Sequence, residues 1–162
     1  MDPFAFSIQM EKDAEALYRK MADNTPVPGV KKVLLLLAED EVKHRKAIEQ
    51  LQKRMSVEPL EGVALDIKTV FDEMKQDKDF TSLSEDAVED YRKAVEIEKR
   101  GIAFYKERFA EETDPASKQL FESLMKQETY HLRTCESMLD MVQKPEWWVE
   151  NAEFNPRDSS EY

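Results

Sequence analysis

Residues Val30 to Met55 read VKKVLLLLAEDEVKHRKAIEQLQKRM. Along this stretch Val30, Leu34, Leu37, Glu41, His44, Ile48, Leu51 and Met55 fall alternately four and three residues apart, the spacing of one face of an α-helix. That face is apolar except at its middle. Glu41 and His44, three positions apart, project side by side from it and aim at the core rather than at water. Polar groups placed there need partners, because burying them unpaired is costly.

The chain on either side supplies more helices. Asp2 followed by Pro3 reads as an N-cap and first helical position, and Ile8, Glu11, Ala14, Tyr18 and Met21 then carry a helix to about Asn24. The breakers Thr25-Pro26-Val27-Pro28-Gly29 end it, and so short a link folds the next helix back antiparallel. That second helix is expected to end near Ser56. From Val57 to Leu83 the periodicity weakens around Pro59 and Gly62; a helical patch at Ile67 to Lys75 carries Val70, Phe71 and Met74, and the whole reads as a crossover. Ser82-x-x-Glu85 has capping-box form and Ser84 is a rival cap. After them Tyr91, Val95, Glu98, Ile102, Tyr105 and Phe109 mark a third helix to about Thr113. Asp114-Pro115 repeats the cap and proline, and Phe121, Leu124, Glu128, His131, Cys135, Met138 and Val142 form the fourth seam, which Pro145 closes. Residues 1–145 are expected to form one bundle domain. Residues 146–162, with Trp147, Trp148 and Phe154, are expected to be a tail or short helix docked on it.

Composition agrees with an all-α protein. Only three glycines among 162 residues, 36% charged residues and no alternating run of Val, Ile and Thr favour long helices over a sheet. A net charge of −11, spread along the chain, argues against nucleic acid or an anionic membrane surface as partner. No apolar run approaches the ~20 residues of a membrane span, and the acidic start lacks the pattern of a signal peptide, so the cytoplasm is the expected address. Cys135 is the only cysteine, which leaves no intrachain disulfide and no cysteine-rich metal site.

The two halves repeat one pattern. Adding 87 takes Glu11 to Glu98, Lys12 to Lys99, Ala16 to Ala103, Tyr18 to Tyr105, Pro28 to Pro115, Leu37 to Leu124, Glu41 to Glu128 and His44 to His131. The chain is a duplicated helical hairpin. Four helices therefore bring four carboxylates and two imidazoles to one level of one core. Unpartnered, each buried glutamate costs several kcal/mol, and together they rival the ~5–15 kcal/mol stability of a whole domain. Two divalent ions would cancel the charge of the four carboxylates, with one imidazole nitrogen for each. Carboxylate oxygen mixed with imidazole nitrogen suits iron or manganese better than a structural zinc site.

In these residues the sequence from Phe4 to about Val142 resembles the ferritin-like di-iron carboxylate superfamily, and within it the rubrerythrin-type domains. The resemblance implies a four-helix bundle of two hairpins joined by a long crossover. It implies two iron ions, with manganese or a mixed pair as alternatives, held by Glu11, Glu41, His44, Glu98, Glu128 and His131, and Glu41 and Glu128 as the bridging ligands. Peroxide or dioxygen would be the oxidant. Rubrerythrins carry a second glutamate one turn beyond the third-helix ligand, where this chain has Gly101, which counts against efficient peroxidase turnover. They also carry a four-cysteine rubredoxin module, absent here, so a separate donor such as a rubredoxin-like protein is expected. Bacterioferritins place a haem-ligating methionine after the second-helix glutamate; here Val42 stands there, and no haem is expected.

Other residues fill in the site. Tyr18 and Tyr105 lie two turns beyond Glu11 and Glu98 on the same faces, where a hydroxyl can reach a ligand carboxylate. Cys135, one turn beyond His131, reads as a small buried residue. Asp40 stands about 100° around the helix from Glu41 and its counterpart is Gln127, so it is expected to be solvated. Met10, Met21, Met55, Met125, Met138 and Met141 read as gap-fillers. The leading functional expectation is an oxidoreductase, against which stand a protein that binds or sequesters iron or another divalent metal with little turnover and a helical interaction module with a vestigial site. A homodimer is expected, since two long hairpins leave flanks to cover and family members associate.

Overall fold

The computed structural model describes residues 2–57, 59–77 and 85–151. Ser82, Ser84 and Phe154, to which the sequence assigns roles, lie outside them. The described chain is helical: α1 Pro3–Asn24, α2 Pro28–Gln52, α3 Ala64–Asp77, a 3-10 turn Glu85–Ala87, α4 Val88–Glu111, α5 Pro115–Gln143 and α6 Pro145–Asn151, with no strand among the described residues. It is the ferritin-like bundle that the seams anticipate. Helices α1 and α2 form one hairpin and α4 and α5 the other, and the hairpins meet along α1 with α4 and α2 with α5.

Local signals start the helices. Asp2 accepts a hydrogen bond from the Phe4 backbone N–H and Asp114 from that of Ser117, each ahead of a proline that needs no donor partner. Helix α2 stops at Gln52, one turn earlier than the seam suggests. Arg54 there adopts a left-handed φ of 54°, and the N–H groups of Arg54 and Met55 bond back to Leu51 and Gln50. This is a Schellman termination, made by an arginine where glycine would be unstrained. Met55 is consequently 57% exposed and is no gap-filler.

The apolar core falls into two layers. One gathers Ala14, Tyr18, Leu34, Leu37, Tyr91, Val95 and Met138 toward one end of the bundle, and the other Ala47, Ile48, Tyr105, Leu120, Phe121 and Leu124 toward the opposite end. Between them lies the level of Glu11, Glu41, Glu98 and Glu128. Crossover helix α3 buries Ile67, Val70, Phe71 and Met74, and the Tyr130 hydroxyl of α5 donates to the Ala64 carbonyl at its start at 2.7 Å. Pro145 closes α5 and also opens α6. There the buried Trp148 meets Phe71 edge-on at 5.6 Å and donates its indole N–H to Ser137 Oγ at 2.8 Å.

Candidate metal centre

Each carboxylate and imidazole of the central level comes from a seam position of one of the four long helices, and each is at most 4% exposed. The two imidazoles, one from each hairpin, stack with centroids 5.3 Å apart and planes 14° from parallel. Both turn Nδ1 toward the carboxylates. Glu41 spans the two rings, with Oε1 2.8 Å from His131 Nδ1 and Oε2 3.2 Å from His44 Nδ1. Glu128 faces them the other way around, Oε1 at 3.0 Å from His44 Nδ1 and Oε2 at 4.0 Å from His131 Nδ1. Glu11 lies 3.5 Å from His44 Nδ1 and Glu98 3.6 Å from His131 Nδ1, so each ring has its own outer carboxylate. Glu41, His44, Glu128 and His131 each offer one ligand atom within 4.8 Å of the others.

The tyrosines cross between the halves. Tyr18 donates to Glu98 and Tyr105 to Glu11, so each α1 or α4 carboxylate is held by the hydroxyl of the other helix. Tyr18 also lies 3.3 Å from Cys135 Sγ, and burial pushes that thiol far above its usual range, which keeps it a neutral thiol.

Asp40 is not solvated. It is 1% exposed and its Oδ2 accepts from His131 Nε2 at 2.7 Å, while Gln127 Oε1 stands 2.5 Å from His44 Nε2. The reason is a second seam on α2: Val33, Leu37, Asp40, His44 and Ala47 are also buried at helical spacing. A helix that packs against neighbours on two sides buries more than one stripe. That second apolar series is the signal in the sequence that marks Asp40 as a core residue. It raises the carboxylates of the site from four to five.

Crowding divides the protons unevenly. Burial and the charges of Glu11 and Glu98 push the Glu41 carboxyl well above its ordinary value, and burial with Glu11, Glu41 and Glu98 does the same to Glu128. Burial would raise Glu11 too, but hydrogen bonds from Glu41, His44 and Tyr105 outweigh it and hold the carboxyl down at about 2. Glu98 is likewise low despite burial, through Glu128, His131 and Tyr18. Burial would lower both imidazoles, yet the surrounding carboxylates hold each well above its ordinary value.

The residues fit a divalent metal site. Glu41 Oε2 and Glu98 Oε2 are buried with no hydrogen-bond partner among the described residues, and carboxylate oxygens so placed beside the imidazole Nδ1 atoms suit a cation. The rubrerythrin family model matches residues 3–139, which takes in all of these side chains. The chain belongs to the rubrerythrin family. Searches of curated proteins and of solved structures give no match. As a rubrerythrin-family protein it keeps the symmetric Glu and Glu-x-x-His pattern in both hairpins. At Gly101 of α4 an added Cβ would lie 3.5 Å from Glu128 Oε2. The Gly101 position, where the resemblance implies a second glutamate, therefore adjoins a carboxylate of the site. Among the described residues, no helix is long and apolar enough to cross a membrane.

Proposed function

We propose that this rubrerythrin-family protein is a non-haem di-iron oxidoreductase that reduces peroxide or dioxygen with electrons from an external donor. The observation that carries the reading is the arrangement of two imidazole Nδ1 atoms around two glutamates that each face both rings, with one further glutamate beside each ring. Glu11 with His44 and Glu98 with His131 would hold one ion each, and Glu41 and Glu128 would serve both. Two ferrous ions supply between them the two electrons that reduction of one peroxide to water takes.

The chain supplies position, charge and dryness. Tyr18 and Tyr105 fix the outer carboxylates by donating to them, and the imidazoles are fixed from behind by Asp40 and Gln127. Apolar layers on both sides exclude water, which strengthens every electrostatic contact inside. A rubredoxin-like protein as donor, a homodimer and a cytoplasmic address, suited to a single free thiol, belong to the same reading.

Anaerobic loading with ferrous iron should give about two ions per chain, and hydrogen peroxide should then oxidise them. Iron that stays ferrous under peroxide defeats the proposal. Gly101 favours a second reading, iron binding or sequestration with little turnover, because the position beside Glu128 lacks a carboxylate that could move during a redox cycle. An added electron donor separates the two. Peroxide consumption beyond one equivalent per site favours the oxidoreductase, and consumption that stops there favours sequestration.

A further inference from the structure

The duplication makes the site nearly two-fold symmetric, and the pair behind the imidazoles breaks that symmetry in charge. Asp40 of α2 accepts from His131 of α5 at 2.7 Å, and its counterpart Gln127 of α5 stands 2.5 Å from His44 of α2. The contacts are the same crossed pair. One is a carboxylate and the other a neutral amide. Asp40 is also the more enclosed, at 1% exposure, while Gln127 is half-buried.

An imidazole whose distal N–H is held by a carboxylate is a stronger donor at its other nitrogen than one held by an amide. The adjacent charge also lies across a short, dry path from the cation, where it is weakly screened. Asp40 Oδ2 is 3.8 Å from His44 Nε2, too far for a hydrogen bond, so its contact favours the His131 ring. The glutamates and tyrosines match between the two halves: an outer glutamate beside each ring, a tyrosine on each outer glutamate, a shared glutamate from each hairpin; Cys135, 3.3 Å from Tyr18, has the apolar Ile48 as its counterpart and adds no charge.

We propose that Asp40 makes the two metal positions unequal, so that a divalent cation binds first and more tightly at the position served by His131 and Glu98. Asp40 is a positioning residue acting through His131. The inference rests on the di-metal reading of the site, and the test separates the two.

The probe is cobalt(II) alone, titrated into the metal-free full chain without oxidant and followed by calorimetry and by the hyperfine-shifted imidazole N–H signals in proton NMR. Two ions should bind per chain in two steps. Mutual repulsion separates the steps in any two-cation site, so the decision falls on the variants. Asp40→Asn, which keeps the shape, should weaken the first step about 10- to 100-fold. Gln127→Glu should tighten the second step. At one equivalent the wild type should show chiefly one N–H signal, and it should be the one that Asp40→Asn displaces. Circular dichroism checks the fold of each variant, and Gln127→Glu keeps the test decisive should Asp40→Asn not fold. Two steps that neither substitution changes, or a first signal that belongs to His44, overturn the asymmetry and leave the di-metal reading standing. No cobalt bound at all overturns both.

Discussion

On the di-metal reading, filling this core should be an exchange of protons for cations, and the directions in which its groups are shifted say which of them give protons up. In the metal-free state Glu11, Glu98 and Asp40 are held ionised, Glu41 and Glu128 are pushed toward the neutral acid, and both imidazoles are held protonated. Three carboxylates against two imidazolium rings leave one negative charge. With two dications bound and every ligand deprotonated, five carboxylates against four positive charges again leave one. A core that takes two cations would conserve its charge by trading about four protons for them. The perturbation is addition of cobalt(II) or ferrous iron to metal-free protein at about pH 6, below the ordinary imidazole value of about 6.5. Calorimetry in buffers of different protonation enthalpy reads the proton number as the slope of the observed heat. With two protons displaced per ion, affinity should rise about 100-fold per pH unit for as long as the groups hold them. Release of fewer than two protons in all, or an affinity indifferent to pH, would refute the reasoning.

The same groups set the stability of the metal-free protein. His44, His131, Glu41 and Glu128 have raised values, so their contribution is complete below the unfolded values, about 6.5 for His and 4.3 for Glu, and is lost as pH rises through the folded ones. Urea denaturation should therefore find the metal-free protein weaker at pH 8 than at pH 6, and bound metal should remove the difference. Tyr105→Phe or Tyr18→Phe deletes a donor to an ionised, buried glutamate; each should cost about 1.5–3 kcal/mol by urea titration of metal-free protein, and a cost below about 0.5 would remove the tyrosines from the site's support. Trp148→Ala should cost about 3–5 kcal/mol while leaving metal stoichiometry unchanged, since the indole packs on Phe71 and bonds to Ser137, neither of them a ligand candidate. Arg54→Gly should stabilise by about 0.5–1 kcal/mol, a rise of roughly 1–4 °C in Tm, because glycine accepts the left-handed turn without strain. A fall in Tm would show that Arg54 makes a contact worth more than its backbone strain.

Much of this protein is legible along the chain because helices repeat at a fixed period and a duplication repeats everything at once. The seams through Glu11, Glu41, Glu98 and Glu128 mark the four helices, and the matched Glu-x-x-His pairs bring their polar groups to one level. The caps at Asp2 and Asp114 are local and equally plain. The end of α2 is less so, because a left-handed arginine is not a stop signal that composition reveals. Which tyrosine supports which glutamate is also beyond a single helix face. Tyr18 shares a seam with Glu11 yet serves Glu98, since its reach crosses the interface between hairpins.

Asp40 shows the boundary most clearly. A periodicity argument assigns a residue to a face of its own helix, and says nothing of what stands opposite until the helices are assembled. The sequence by itself determined that four carboxylates and two imidazoles would share a core, because spacing alone aims a side chain. Only the tertiary structure decided that Asp40 and Gln127 close the site from behind, each on the ring of the opposite hairpin. Contacts between helices far apart in the chain depend on rotation and depth, and no period in the sequence encodes those.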